Sequence, residues 1–101
     1  MRYGDLTYLE IHELAQAGAV AIIPCGRVQP QGLHLPVDVD VWLADVLCQA
    51  AAERAQAVYQ VPALVLPAIP YGPLPEHPTA AGGALHVPEP IHAGLLAALL
   101  T

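Results

Sequence analysis

The segment at residues 25–42, CGRVQPQGLHLPVDVDVW, mixes residue types that bind metal ions with residue types that bind them poorly. His34 supplies an imidazole and Asp40 a carboxylate, whereas Gln29 and Gln31 carry only amides. A divalent ion held by protein alone needs several anionic or imidazole ligands at about 2.0–2.2 Å. An amide oxygen offers a dipole instead of a charge. The segment therefore predicts a loop of the type that binds metal ions, but with too few strong ligands to hold one.

Each strong ligand type in this loop also has a structural explanation. Asp38 and Asp40 stand where a helix is predicted to begin, and aspartate is a preferred capping residue there. His34 lies between two leucines and close to Pro36, a setting typical of a packed, hydrogen-bonded loop histidine. We keep Asp40 and His34 as the metal-ligand candidates. The alternative role is helix capping for Asp40 and packing within the loop for His34.

A second polar group follows the second predicted strand, in the stretch YGPLPEH with Tyr71, Glu76 and His77. In α/β proteins the loops beyond the carboxyl ends of parallel strands form the ligand crevice, so this loop and the first should open at the same end of the sheet. Glu76 and His77 are the catalytic candidates because a carboxylate and an imidazole can perform acid–base chemistry. A purely structural polar loop is the alternative.

The two loops are positioned by predicted helices and strands that alternate along the chain. A capping box at Thr7 and Glu10 opens a helix over residues 8–17, and Gly18 ends it. Further elements are predicted as a strand at 19–23 that is buried on both faces, a helix at 39–57, strands at 63–66 and 84–87, and a helix from 89 onward. We predict one α/β domain over residues 1–101, with a βαβ unit at its centre.

The helix at 39–57 is expected to bury one apolar face, and the strand before it is expected to end in a buried thiol. The apolar face comprises Val39, Leu43, Val46, Leu47 and Ala50, opposite a polar stripe of Asp38, Asp45, Gln49, Glu53 and Gln56. Cys25 lies beside Gly26, and we favour an inert buried thiol over a nucleophile because no histidine within the motif can be assigned to activate it. The unfinished apolar register at Leu99 and Leu100 suggests half of a larger fold.

Composition narrows the function classes. The chain has 101 residues, a net charge of −6, three arginines and no lysine, which argues against nucleic-acid binding. Its apolar fraction of 55% is high, yet no apolar run approaches the roughly 20 residues that span a bilayer. We therefore expect a cytoplasmic protein without a membrane partner, whose surplus apolar surface forms an oligomer interface. Cys25 and Cys48 are too few for a disulfide framework.

The order of four motifs resembles the amino-terminal part of the creatininase (creatinine amidohydrolase) family. They are MRYGDLTYLEIHELAQAGAVAIIPCG, GLHLPVDVD, LVLPAIPYGPLPEH and PEP before a helix, and they cover nearly the whole chain. The resemblance implies a three-layer α/β/α fold with a mostly parallel sheet. It also implies a usually hexameric, metal-dependent hydrolase of cyclic amides and related C–N bonds, with two metal ions that activate a bridging water.

The resemblance assigns roles to the loop residues. The family pattern is Gly-Ser-x-Glu-Gln-His-Gly-x-His-Leu-Pro with a later aspartate, so its metal-binding glutamate and histidine positions hold Gln29 and Gln31 here. His34 and the metal-bridging Asp40 match the pattern, and so do Tyr71, Gly72, Glu76 and His77 in the second loop. Loss of even outer-shell partners weakens metal binding about 10–100-fold. We expect no cofactor in this chain alone, and zinc or manganese only if the family site is completed.

Three functional hypotheses follow from the sequence. The first is a truncated, non-catalytic homologue, in effect a pseudoenzyme, that associates with copies of itself or with a longer creatininase-like paralogue. The second is a metal-dependent amidohydrolase with a rearranged site built from Asp40, Glu76, His77 and His34. The third is a truncated gene product without a selected role. The sequence leaves open whether the chain is an enzyme.

Overall fold

The computed structural model describes residues 1–74 and 82–100, in which helices and strands alternate. In chain order the elements are a short 3₁₀ helix at Tyr3–Asp5, helix α1 at Tyr8–Gln16, strand β1 at Val20–Ile22, helix α2 at Val39–Tyr59, strand β2 at Ala63–Val65 and helix α3 at Glu89–Leu99. The predicted α/β class is confirmed. Within the described part, no helix is long and apolar enough to cross a membrane.

Contacts divide the chain into two compact units, the first formed by Met1–Pro24 and Leu43–Ala68. At its centre β1 and β2 pair in parallel, with Val20 opposite Ala63. All three residues of β2 are buried, as the continuous apolar run predicted. The core of this unit therefore lies along β2.

The first two residues of the chain also pair with β2. The Val65 N–H donates to the Met1 carbonyl at 2.7 Å, and Arg2 forms a parallel bridge with Val65. The Arg2 guanidinium donates twice to the Asp45 carboxylate on α2, at 3.2 and 2.9 Å. This hydrogen bonding holds the pKa of Asp45 below its ordinary value of 3.8 and raises that of Arg2, because it favours the charged form of each partner.

Helix α1 begins and ends as its sequence predicts. The Glu10 N–H donates to Thr7 Oγ1 at 3.3 Å, and the Thr7 N–H donates to Glu10 Oε2 at 2.8 Å. These two bonds complete the capping box. Gly18 follows the helix with φ of 85°, a left-handed conformation that glycine adopts without strain.

The second unit comprises Cys25–Trp42 and Ile69–Thr101. Its described residues form isolated bridges, which join Cys25 to Ile69, Gln31 to Leu35 and Gly72 to His86. The predicted strand at 84–87 is wrong, since the stretch forms an isolated bridge at His86 and not a strand, although the N–H groups of Leu85 and Val87 donate to the carbonyls of Val28 and Gly72. Pro73 and Pro88 stand on either side of this bridge and have no N–H with which to extend a ladder.

The predicted burial of α2 is wrong. Leu43, Val46 and Leu47, which belong to the expected buried face, are 43%, 40% and 66% exposed. Ala52 is buried instead and packs with β2 in a small core, where Cys48 and Ala55 also lie. Small side chains allow a helix to approach a sheet closely, and this steric fit decides which face of α2 is buried.

Two smaller expectations of burial are also wrong. β1 is not buried on both faces, because Val20 is 51% exposed and the described sheet has β2 as the only full neighbouring strand. Cys25 is exposed, since it stands where the strand gives way to the loop. Leu99 and Leu100 at the end of α3 are exposed as well.

Candidate functional site

Backbone hydrogen bonds hold the loop that carries the two glutamines. The Val28 N–H donates to the Pro70 carbonyl at 3.0 Å, which joins this loop to the loop after β2. The Gln29 N–H donates to the Val37 carbonyl at 3.1 Å, which closes the loop on itself. The side chains at positions 29 and 31 are therefore presented by an ordered backbone.

Gly26 brings this loop against the first turns of α2. A Cβ atom placed on Gly26 would lie 2.7 Å from the Cα of Val41 and 2.9 Å from its nitrogen. Real Cβ atoms essentially never approach backbone so closely, so only glycine fits. The close approach places the loop beside the helical turn that carries Asp40.

The two glutamines bind the carboxylate of Asp40. Gln29 Nε2 donates to Asp40 Oδ2 at 2.5 Å, and Gln31 Nε2 donates to the same oxygen at 2.8 Å. Hydrogen bonds to an ionised acceptor are stronger than those between neutral groups. The structure therefore brings together three of the residues that the sequence singled out, in an amide–carboxylate cluster formed by Gln29, Gln31 and Asp40.

Gln29 is the buried member of this cluster. Its side chain is only 8% exposed, and its Oε1 atom has no hydrogen-bond partner among the described residues. A buried amide oxygen without a partner costs about 1–3 kcal/mol. The amide nevertheless keeps its N–H group on Asp40, since an amide oxygen turned toward a carboxylate would be repelled by it.

The cluster does not fit the two-metal site that the family resemblance implies. A cation beside Asp40 Oδ2 would have to displace two N–H donors that point at that oxygen. His34 is exposed on the turn after Gly32. Across residues 1–74 and 82–100, no three His, Cys, Asp or Glu side chains converge as a metal-binding group. Of the positions that the resemblance assigns to acidic ligands in this loop, only Asp40 carries a carboxylate, and its Oδ2 atom already accepts two N–H groups.

The second loop is held by an arginine and a histidine for which the sequence gives no site signal. Arg27 Nη1 donates to the Pro73 carbonyl at 2.8 Å. The Leu74 N–H donates to His86 Nδ1 at 2.8 Å, and Leu74 itself is fully buried. His86 therefore acts as a structural acceptor, and Arg27 fixes the backbone from which Tyr71 projects.

The two catalytic candidates of the second loop, Glu76 and His77, lie outside the described residues, so their catalytic role stays a prediction. Tyr71 is exposed at the start of their loop. No sequence signal revealed the role of Arg27, because its acceptor is a backbone carbonyl 46 residues away.

Comparisons with known proteins identify the relatives of this chain. The creatinine amidohydrolase (creatininase) family model matches residues 4–101, nearly the whole sequence. The chain belongs to the creatininase family. Creatinine amidohydrolase of Pseudomonas putida is 34% identical over 86 residues, which cover 84% of this chain and 30% of that protein. Mycofactocin precursor peptide peptidase of Mycobacterium tuberculosis is 31% identical over 83 residues, which cover 78% of this chain and 33% of the relative.

Solved creatininase structures show the same fold. A tryptophan-to-alanine mutant of creatininase superposes with a TM-score of 0.84 at 26% identity. A second creatininase crystal structure gives 0.76 at 23% identity. Each comparison covers 98% of this chain and 38% of the other. The creatininase-like α/β fold predicted from the sequence is confirmed, and the chain spans about a third of the length of the relatives it matches.

Proposed function

We propose that this chain is a creatininase-family segment that does not assemble the family's two-metal centre by itself and that works through association with other polypeptides. The observation that carries the proposal is the amide–carboxylate cluster. Gln29 and Gln31 stand where the family resemblance expects ligands, and both donate to the remaining acidic ligand, Asp40.

Electrostatics explain why this exchange favours a metal-free loop. Two dications near one carboxylate would carry a large uncompensated positive charge, whereas the amide N–H groups already stabilise the single negative charge of Asp40. The hydrogen bonds also tie residues 29 and 31 to the start of α2. The loop thus keeps a defined conformation that does not depend on an ion.

The exposed apolar surface supports a role in association. Twenty large apolar side chains are exposed among the described residues, against six buried apolar residues. Exposed apolar patches larger than a few hundred Å² mark interaction sites in soluble proteins. A second copy of this chain or a longer creatininase-like paralogue is the class of partner that we propose.

Metal analysis tests the metal-free half of the proposal. We expect the wild type, purified without chelator and dialysed, to hold far less than one zinc or manganese ion per chain. The double variant Gln29→Glu/Gln31→His should gain little, because the family resemblance places further metal ligands in an Asn-Gly-His-type motif that residues 1–101 do not contain. Elemental analysis by mass spectrometry measures both, and Asp40→Asn is the control for adventitious metal.

The competing function is a metal-dependent amidohydrolase that acts on amide C–N bonds, as the names of the relatives suggest. It would use Asp40 and His34 with Glu76 and His77 of the second loop. A full equivalent of metal in the wild type that disappears in Asp40→Asn would establish this function and overturn the proposal.

A further inference from the structure

One peptide group at the start of the second loop is bound by side chains at both ends. It joins Pro73 to Leu74. Its carbonyl accepts from Arg27 Nη1 at 2.8 Å, and its N–H donates to His86 Nδ1 at 2.8 Å. The arginine stays charged at every physiological pH, whereas the histidine can gain or lose a proton. Of these two bonds, therefore, the one to His86 is the one that depends on pH.

The N–H end of this peptide group joins a buried donor to an accessible ring. Leu74 is only 2% exposed, whereas His86 is exposed. A buried backbone N–H that loses its acceptor costs free energy, because water does not readily replace the partner. Solvent protons, by contrast, reach the His86 ring. The protonation state of the ring therefore determines whether the buried donor is satisfied.

The bond requires one particular form of the imidazole. In the neutral ring one nitrogen carries the hydrogen and the other accepts, so Nδ1 of His86 accepts only when the hydrogen lies on Nε2. In the imidazolium both nitrogens are donors. Protonation would therefore direct an Nδ1–H group at the Leu74 N–H, and the bond would be lost.

The groups around His86 do not compensate for the lost bond. His86 forms a bridge with Gly72, and a Cβ atom at Gly72 would lie 3.2 Å from Arg27 Cγ and 3.7 Å from His92 Nε2. Arg27 already brings one positive charge to this segment, so a second on His86 gains no compensating partner from it. Glu89 opens α3 shortly after His86 and forms no ion pair with it among the described residues. On the described segments next to His86, the ionisable side chains are those of Arg27, Tyr71, Glu89 and His92.

We propose that His86 is a pH-sensitive switch for the start of the second loop. While Nδ1 is unprotonated, the Leu74 N–H is bound and the peptide group is held at both ends. Protonation releases the N–H end and leaves the bond from Arg27. Histidine side chains ordinarily titrate near about pH 6.5, so mild acid should release it. Glu76 and His77 follow closely in the sequence, so the switch acts on the start of the loop that carries both catalytic candidates. The inference does not rest on the associative function.

The tautomer of the wild-type ring tests the switch without any substitution. Long-range nitrogen–hydrogen NMR correlation spectra distinguish a ring nitrogen that carries hydrogen from one that does not. At mildly alkaline pH we expect the hydrogen of His86 on Nε2 and an unprotonated Nδ1, because Nδ1 accepts from Leu74. A hydrogen on Nδ1 at that pH would overturn the inference.

Hydrogen exchange of the Leu74 amide tests the release. We expect its protection factor, which corrects for the intrinsic pH dependence of exchange, to fall roughly 10-fold from about pH 8 to about pH 5, because one hydrogen bond is lost. The Val65 amide, which donates to the Met1 carbonyl, is the internal reference and should keep its protection. Leu74 protection that follows that of Val65 at every pH would contradict the switch.

Two substitutions at His86 separate the acceptor from its titration. His86→Asn keeps an acceptor atom bonded to Cγ, as Nδ1 is, but cannot gain a proton, so Leu74 should stay protected at both pH values. His86→Leu removes the acceptor, so protection should be low at both. His92→Asn is the matched control, since it removes the histidine on the other side of Gly72 and should retain the wild-type pH response. A pH response that persists in His86→Asn would assign it to another group and refute the switch.

Discussion

At the scale of single residues, the amides of Gln29 and Gln31 determine which groups the loop binds. A carboxylate and an imidazole are acceptors toward a cation, whereas the amides of Gln29 and Gln31 present N–H donors to Asp40. Positions 29 and 31 therefore donate hydrogen bonds to a carboxylate. Gly26 allows the loop to lie close to α2, because a Cβ atom at this position would clash with the backbone of Val41.

A substitution at Gly26 tests this close approach. We expect Gly26→Ala to lower the free energy of unfolding by about 1–3 kcal/mol, because the new methyl group meets the backbone of Val41. Gly94→Ala is the control, since Gly94 lies in α3 with no atom within 4 Å of its Cβ position. It should stabilise by about 0.5–1 kcal/mol. Urea denaturation measures both, and equal effects would contradict the steric argument.

At the scale of elements, α1 and α2 differ in how completely their sequences describe them. The limits of α1 depend on bonds between residues three apart, so Thr7, Glu10 and Gly18 suffice to place it. The burial of α2 depends on its fit to β2, where alanines and a cysteine pack closely. The Arg2–Asp45 pair then joins α2 to the first residues of the chain.

The Arg2–Asp45 pair makes a pH-dependent contribution to stability. Because the folded-state pKa of Asp45 is lowered, the unfolded state binds more protons in acid and stability rises with pH. The contribution should be complete above the ordinary aspartate pKa of 3.8 and should be lost as the pH falls through the lower, folded-state value. Urea denaturation of the wild type and Asp45→Asn from acid to neutral pH measures the difference.

The size and salt dependence of this difference identify its origin. Both side chains are partly exposed, so the effect should be small and should shrink with added NaCl. An Asp45→Asn variant that loses the same stability at every pH would show that the residue acts through packing and not through charge.

At the scale of the whole molecule, the exposed apolar surface and the net charge have opposite effects on self-association. The exposed apolar side chains favour association, while a net charge of −6 on every copy repels a second one. Self-association of this chain should therefore strengthen as NaCl rises, because salt screens the repulsion and does not weaken apolar burial. Sedimentation velocity at low and high NaCl measures this trend.

The same titration separates two kinds of association. A complex with a basic partner would weaken with salt, since opposite charges would hold it together. Self-association that weakens with salt would likewise show that charge pairs, and not apolar burial, drive the contact.

The sequence by itself determined the features that depend on neighbours along the chain. The capping box, the glycine stop and the buried run of β2 are each formed by residues close together along the chain, and so is each family motif. These features can therefore be recognised without knowledge of the fold. Composition also determined that apolar side chains would exceed what a small core can bury.

Only the tertiary structure decided which faces meet. The face of α2 that carries Leu43, Val46 and Leu47 has the spacing of a buried face, yet the smaller residues around Ala52 fit β2 more closely and are buried instead. The bonds from Gln29 to Asp40 and from Arg27 to Pro73 join residues 11 and 46 apart. Such contacts form only where the fold brings distant parts of the chain together. The spacing of residues along the sequence does not specify which parts those are.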